Sequence, residues 1–143
     1  MKIVYYLLFL TSCAWHPVQE NLAQREVNRL MYDFLSLSNK HKLNLKAPPI
    51  TFVVMEEKFP KFKGAVGLCK NKAVYLDQKW WRETTLWDKE QVLFHELGHC
   101  LLDLKHQKGI MGQKPIPSDI YYKHRATLIN QMFNQKLRME PLR

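Results

Sequence analysis

Two histidines one helical turn apart, with a glutamate directly after the first, are the residues of this chain best suited to chemistry. His95, Glu96 and His99 form an H-E-x-x-H pattern. Two neutral imidazoles at this spacing can each place a nitrogen about 2.0–2.1 Å from one zinc ion. Zinc lowers the pKa of a bound water toward ~7, and an adjacent carboxylate can take the proton of that water. We therefore predict a zinc site with His95 and His99 as ligands and Glu96 as the catalytic base.

A catalytic zinc site needs a third protein ligand, and two residues after His99 could supply it. His106 is the favoured candidate, and Asp103 is the alternative. For His106 to reach the metal, the helix must end near Leu102 and the chain must turn back. A left-handed Asp103 would permit this turn, because Asp tolerates that conformation better than most residues.

The residues before the histidines predict the helix that positions them. Asp88 followed by Gln91 three residues later resembles a capping box, and Trp87 is placed to pack on Val92. The helix should then run to about Leu102. Its face opposite the histidines carries four leucines, Leu93, Leu97, Leu101 and Leu104.

The rest of the chain predicts a small α+β domain. Apolar spacings of three and four indicate a long helix, a β-branched run indicates a buried strand, and two short apolar runs around a polar turn indicate a hairpin. The predicted elements are a helix at 17–39, a strand at 50–55, hairpin strands at 65–69 and 73–76, and a last helix that begins at Ser118. We expect a small, mainly antiparallel sheet packed by about three helices.

The segment from His95 to His106 resembles the metzincin pattern H-E-x-x-H-x-x-G-x-x-H. The third histidine arrives one position late, and Leu102 stands where metzincins have a glycine. The sequence Gly109-Ile110-Met111-Gly112 is similar to the metzincin Met-turn, which would place Met111 beneath the ligands. The resemblance covers about 65–112 and is closest to short bacterial chains described as metallopeptidases.

This resemblance implies a minimal zincin-like metallopeptidase domain that hydrolyses peptide bonds with Zn²⁺. A strand before the metal site would pair with an extended peptide or protein substrate. A tyrosine past the Met-turn stabilises the developing oxyanion in some metzincins, which makes Tyr121 a weak candidate for that role. Its place in an amphipathic helix favours packing instead, as it does for Tyr122.

The first residues resemble a bacterial lipoprotein signal. Lys2 precedes a short apolar run that ends in Leu-Thr-Ser-Cys, so residues 1–12 would be removed and Cys13 would carry the lipid. The single metallopeptidase domain would then span 13–143. Ala14 matches outer-membrane sorting, which predicts a lipid anchor on the periplasmic face of that membrane. The alternative is a buried N-terminal strand with an incidental cysteine.

The net charge of +9 leaves a second function open. No dense basic block interleaved with aromatic residues is present, so we expect no nucleic-acid partner. The charge could serve solubility alone, or it could attract cell-wall polymer or anionic lipid. The alternative function is accordingly a catalytically silent zinc-binding envelope lipoprotein. A third, hydrolysis of a non-peptide amide such as a wall crosslink, would use the same residues.

Two further cysteines would remain in an exported protein. Cys69 and Cys100 could form a disulfide in an oxidising compartment, or they could be two separate buried thiols.

Overall fold

The computed structural model describes residues 16–139. The predicted signal peptide and Cys13 lie outside this range. The described helices are α1 (His16–Lys40), α2 (Met55–Lys58), α3 (Gln78–Glu83), α4 (Leu86–Leu102) and α5 (Ser118–Met139), the strands are β1 (Ile50–Val53), β2 (Gly67–Lys70) and β3 (Ala73–Asp77), and two short 3-10 helices span Pro60–Phe62 and Gly109–Met111. Within 16–139 we find no helix whose length and apolar character would let it cross a membrane.

The three strands form one mixed sheet in the order β1-β3-β2. β1 runs parallel to β3, with Ile50 opposite Val74, and β2 runs antiparallel to β3, with Gly67 opposite Leu76. The α+β class is confirmed. The sheet is mixed, however, rather than mainly antiparallel, and two short helices join the three long ones among the described residues.

The carboxylate of Asp77 explains why the strand predicted at 50–55 ends early. One oxygen accepts the backbone N–H of Met55 at 3.1 Å, where α2 begins. The other oxygen accepts the N–H of Trp80 at 2.8 Å and caps α3. A single side chain therefore terminates β1 and starts a helix at the far end of β3, which no local pattern in 50–55 indicates.

The predicted hairpin is present as β2 and β3. Asn71 and Lys72 have φ values of 52° and 59°. Two successive residues with positive φ are typical of the type I′ turn, whose twist matches that of the flanking strands.

The start of α4 differs from the prediction by three residues. Thr85, not Asp88, is the N-cap: its Oγ1 accepts the N–H of Asp88 at 3.2 Å and donates to Asp88 Oδ2 at 2.7 Å. Asp88 therefore lies in the first turn of the helix, as its third residue, and is not its N-cap. The end at Leu102 is as predicted.

Helix α4 lies at the centre of the domain, where it contacts α1, α5, β2 and β3. The ring of Phe94 meets Phe34 of α1 edge-on at 5.1 Å, and Phe34 lies 5.2 Å from Phe133 of α5. All three side chains are fully buried. The helix that carries the predicted metal ligands is therefore held by the core on most of its surface.

Candidate metal centre

The structure brings three histidines together at one face of α4. His95 and His99 lie on the helix, and His106 lies in the loop that follows it. One ring nitrogen from each lies within 4.8 Å of the other two. Among residues 16–139 this is the one group of three or more His, Cys, Asp or Glu side chains arranged to hold a metal ion.

The turn after α4 brings His106 back to the helix. Asp103 has φ 55° and ψ 27°, the left-handed conformation that the sequence predicts. The next N–H, of Leu104, donates to the carbonyl of Gly98 at 3.1 Å. The Asp103 side chain is exposed and pairs with Lys72. Asp103 therefore shapes the turn, and its carboxylate is not part of the histidine cluster.

Backbone carbonyls fix the orientation and the tautomer of two of the imidazoles. His95 Nδ1 lies 2.7 Å from the carbonyl oxygen of Ile110, and His99 Nδ1 lies 2.6 Å from that of Leu104. A carbonyl oxygen can only accept, so each Nδ1 carries the hydrogen and donates it. Each Nε2 then presents a lone pair, which is the arrangement that outer hydrogen bonds impose on metal-binding histidines.

These two Nε2 atoms face each other at 3.1 Å. Two lone pairs cannot hydrogen-bond to each other, whereas a shared cation satisfies both. Two nitrogens bound tetrahedrally to one zinc at 2.0–2.1 Å would lie about 3.3 Å apart. The separation of the Nε2 atoms of His95 and His99 thus fits a zinc ion.

The environment of these histidines favours the neutral form that binds metal. Burial lowers the pKa of His95 and of His99 below the ordinary value of 6.5, while the carbonyls of Ile110 and Leu104 act in the opposite direction. The neighbouring imidazole of His106 lowers both further. A lone pair is therefore available on each ring at neutral pH.

Glu96 lies beside the cluster, between α4 and β2. Its side chain is buried, and burial raises its pKa to about 7, although the backbone N–H of Cys69 counteracts this by bonding to the carboxylate. Gly67 leaves the space that the carboxylate occupies, because a Cβ at this position would lie 2.9 Å from Glu96 Cγ. An acid with a pKa near neutrality is suited to general base catalysis.

Strand β2 lies at an edge of the sheet, and some of its backbone groups point to that free edge, next to Glu96. The N–H of Asp77 donates to the carbonyl of Val66 at 2.9 Å. In an antiparallel pair, residues alternate between those that bond to the partner strand and those that point away. By this alternation the backbone groups of Gly67 and Cys69 point to the free edge of the sheet, which agrees with the bond from Cys69 to Glu96.

A disulfide joins this strand to the helix of the histidines. Cys69 and Cys100 are bonded, with their Cα atoms 5.5 Å apart. Of the two alternatives that the sequence left open, the paired one is therefore observed. The bond connects the strand that holds Glu96 to the residue directly after His99.

The cluster opens into a cleft of about 570 Å³. Its walls are segment 64–67, Trp80, one side of α4 and residues between His106 and Pro115. Gln91 holds the last wall in place: its side-chain amide donates to the Ile116 carbonyl at 2.9 Å, and the Ile116 N–H donates back at 2.5 Å. From the sequence we expected Gln91 to take part in helix capping; no local pattern indicates its pairing with Ile116.

Met111 lies directly beneath the histidine-bearing helix. It is fully buried in the second 3-10 helix, and a Cβ at Gly98 would lie 2.3 Å from its Sδ. The close approach of Met111 to the helix therefore requires glycine at position 98.

Tyr121 is not part of the candidate site, so its proposed role toward an oxyanion is wrong. Its hydroxyl donates to Glu90 Oε1 at 2.8 Å inside the core. Arg125 binds the same carboxylate through Nε at 2.6 Å and through a second guanidinium nitrogen at 2.9 Å. Burial and this carboxylate raise the pKa of Tyr121. The sequence does contain a signal for this network: Glu90 lies three residues before Leu93 and so shares the apolar face of α4, where a carboxylate needs a partner.

Comparisons of the chain with protein-family models, with curated proteins and with solved structures found no match. The geometry of the site is therefore the basis for the function proposed below.

Proposed function

We propose that this chain is a zinc-dependent peptidase of the zincin type, with His95, His99 and His106 as ligands and Glu96 as general base. The observation that carries the proposal is the pair of lone pairs on His95 and His99, which face each other at 3.1 Å. When bound, zinc would supply a Lewis acid that polarises the scissile carbonyl and makes water a better nucleophile at neutral pH.

The protein's own groups have separate roles in this proposal. Glu96 accepts a proton from water and passes it to the leaving amine. The N–H of Cys69 keeps the carboxylate aimed into the cleft. The outward backbone groups of Gly67 offer hydrogen bonds to an extended substrate, which would lie along the free edge of β2.

An enzyme is supported over a silent zinc-binding protein by the openness of the site. Structural zinc sites are usually closed by four protein ligands, whereas catalytic sites use three and leave a position free. The cluster in residues 16–139 has three members, and it faces a cleft that also holds Glu96. His106 is exposed at this opening.

The disulfide supports the proposal that the chain is exported, since disulfides persist in oxidising compartments. Lipidation of Cys13 and an outer-membrane location remain part of that proposal. Mass spectrometry of the native N-terminus tests them: a diacylglycerol on Cys13 is the expected result, and an intact Met1 would contradict it.

The deciding experiment compares three variants in a metal assay and a peptide-library assay. Glu96→Gln should retain zinc and lose hydrolysis, His106→Ala should lose zinc and hydrolysis, and His124→Ala should lose neither, because His124 is an exposed histidine of α5 outside the cluster. A parent protein that binds zinc and cleaves no peptide would support the silent envelope protein instead.

A further inference from the structure

The two rims of the cleft carry charge of one sign. We define the first lip as segment 60–66, which continues into β2, and the second lip as segment 104–117, which contains His106. Neither segment contains Asp or Glu. Together they contain five lysines, Lys61, Lys63, Lys105, Lys108 and Lys114.

All five lysines of the lips are exposed. None of them forms an ion pair with another residue in the part of the chain that the structure describes, unlike Lys72 and Lys89, which pair with Asp103 and Glu26. Lys114 lines the cleft itself, and Lys105 directly precedes His106. The two segments that contribute residues to the cleft wall therefore carry exposed positive charge without a paired carboxylate.

The two carboxylates that line the cleft, Asp88 and Glu96, already accept hydrogen bonds from neighbouring groups. Glu56 and Glu57 precede the first lip, where they lie in α2 next to Lys58. Within the cleft, Asp88 accepts hydrogen bonds from the hydroxyls of Thr85 and Ser118, both at 2.7 Å. Glu96 is buried and is held by the N–H of Cys69.

We propose that the cleft selects extended peptides with acidic residues on both sides of the scissile bond. The inference rests on the proposed peptidase function and names the substrate class of that site. A peptide that follows the edge of β2 would pass between the two lips, where carboxylates on either side of its centre meet lysines. Charges of one sign lining a cleft raise the local concentration of oppositely charged ligands and speed their association.

The first test uses fluorogenic peptides with one common centre and flanks of Glu, Gln or Lys. We expect kcat/KM to fall in the order Glu, Gln, Lys, with roughly tenfold between the extremes at low salt, because several exposed ion pairs contribute together. The difference should shrink as the ionic strength rises from about 0.01 M to about 1 M, where screening shortens the Debye length to ~3 Å. Equal rates at low salt would overturn the inference.

The second test reverses the charge of one lip at a time. Lys61→Glu with Lys63→Glu, and separately Lys108→Glu with Lys114→Glu, should each reduce or reverse the preference for acidic flanks. The matched control, Lys46→Glu with Lys123→Glu, makes the same change in net charge at exposed lysines outside the lips, and it should keep the preference. Loss of preference in the control to the same extent would attribute the effect to net charge alone.

Binding of the same peptides to zinc-loaded Glu96→Gln, followed by fluorescence anisotropy, separates the inference from the proposed function. Cleavage by the parent without any charge order contradicts the inference and leaves the peptidase in place. Charge-ordered binding without cleavage by the parent contradicts the peptidase and supports the acidic ligand. Absence of both contradicts the two together.

Discussion

Adding one methyl group at Gly67 should impair catalysis without removing the metal. In Gly67→Ala the new Cβ would lie 2.9 Å from both Glu96 Cγ and Val92 Cγ1, and 3.1 Å from Glu96 Oε1. Carbon atoms in contact prefer separations of 3.5–4.0 Å, so the carboxylate must move by about 0.6 Å or more. Displacements of this size in a catalytic group reduce kcat by on the order of 10- to 100-fold.

The same substitution should change stability only slightly. Overpacking costs about 1–3 kcal/mol, while replacing glycine in a strand returns about 0.5–1 kcal/mol. We therefore expect the free energy of unfolding of Gly67→Ala to fall by about 1 kcal/mol. The assays are kcat on a fluorogenic peptide, zinc content by mass spectrometry and denaturant unfolding.

Gly64→Ala is the matched control for this prediction. Gly64 has a φ of 79° and no heavy atom within 4 Å of a built Cβ, so alanine there is strained but contacts nothing. Left-handed backbone costs about 1–2 kcal/mol for a residue with a Cβ, so the control should lose at least as much stability. Gly64 lies in the same wall of the cleft as Gly67, but a Cβ there contacts no atom of Glu96, so kcat should fall less than in Gly67→Ala. Full kcat in zinc-loaded Gly67→Ala would refute the placement of Glu96 as the base.

Three further predictions concern stability and metal affinity. Arg125→Met should lower the free energy of unfolding by about 3 kcal/mol, because it leaves the buried carboxylate of Glu90 without its counter-ion. Denaturant unfolding should show most of this loss recovered when Glu90→Leu and Tyr121→Phe are added together, because the buried hydroxyl of Tyr121 donates to Glu90 and would otherwise lose its acceptor. No recovery would contradict the explanation. The disulfide joins cysteines separated by 31 residues, so its reduction should lower the free energy of unfolding by about 3.5 kcal/mol in the same assay. A loss below ~1 kcal/mol would contradict the view that the disulfide stabilises the fold by restricting the unfolded chain. Burial holds the pKa of His95 and His99 below 6.5, so as the pH falls these histidines are protonated in the unfolded chain before they are protonated in the folded one. The free energy of unfolding of the metal-free protein should therefore decline as the pH falls below about 6.5. The zinc affinity should decline over the same range, because protons compete with the metal for the imidazole nitrogens. Calorimetric zinc titrations at about pH 7.5 and about pH 5.5 would contradict this if the affinities were equal.

The sequence predicted the parts of the site that depend on local periodicity. One helical turn separates His95 from His99, so their convergence follows from the helix alone. The left-handed conformation of Asp103 and the end of α4 also follow from residue type and spacing. The arrival of His106 was predicted because the chain needs only a short, tight turn to return to the helix.

Features that depend on distant contacts could not be predicted in the same way. The parallel pairing of β1 with β3 joins residues more than 20 positions apart, and nothing within either strand specifies the direction of its partner. The carboxylates of Glu90 and Asp77 find their partners on other elements. Capping at Thr85 was missed for a simpler reason: Thr85 and Asp88 are both residue types that cap helices, and the sequence around them is compatible with either as the first residue.

The carbonyls that orient His95 and His99 belong to Ile110 and Leu104, which lie on either side of His106 in one segment. Binding of the metal and ordering of this segment are therefore coupled. Calorimetry of zinc binding should contain the enthalpy and entropy of ordering residues 104–111 as well as those of ligation. Chelation should leave this segment open to a protease, with the first cut between residues 104 and 111.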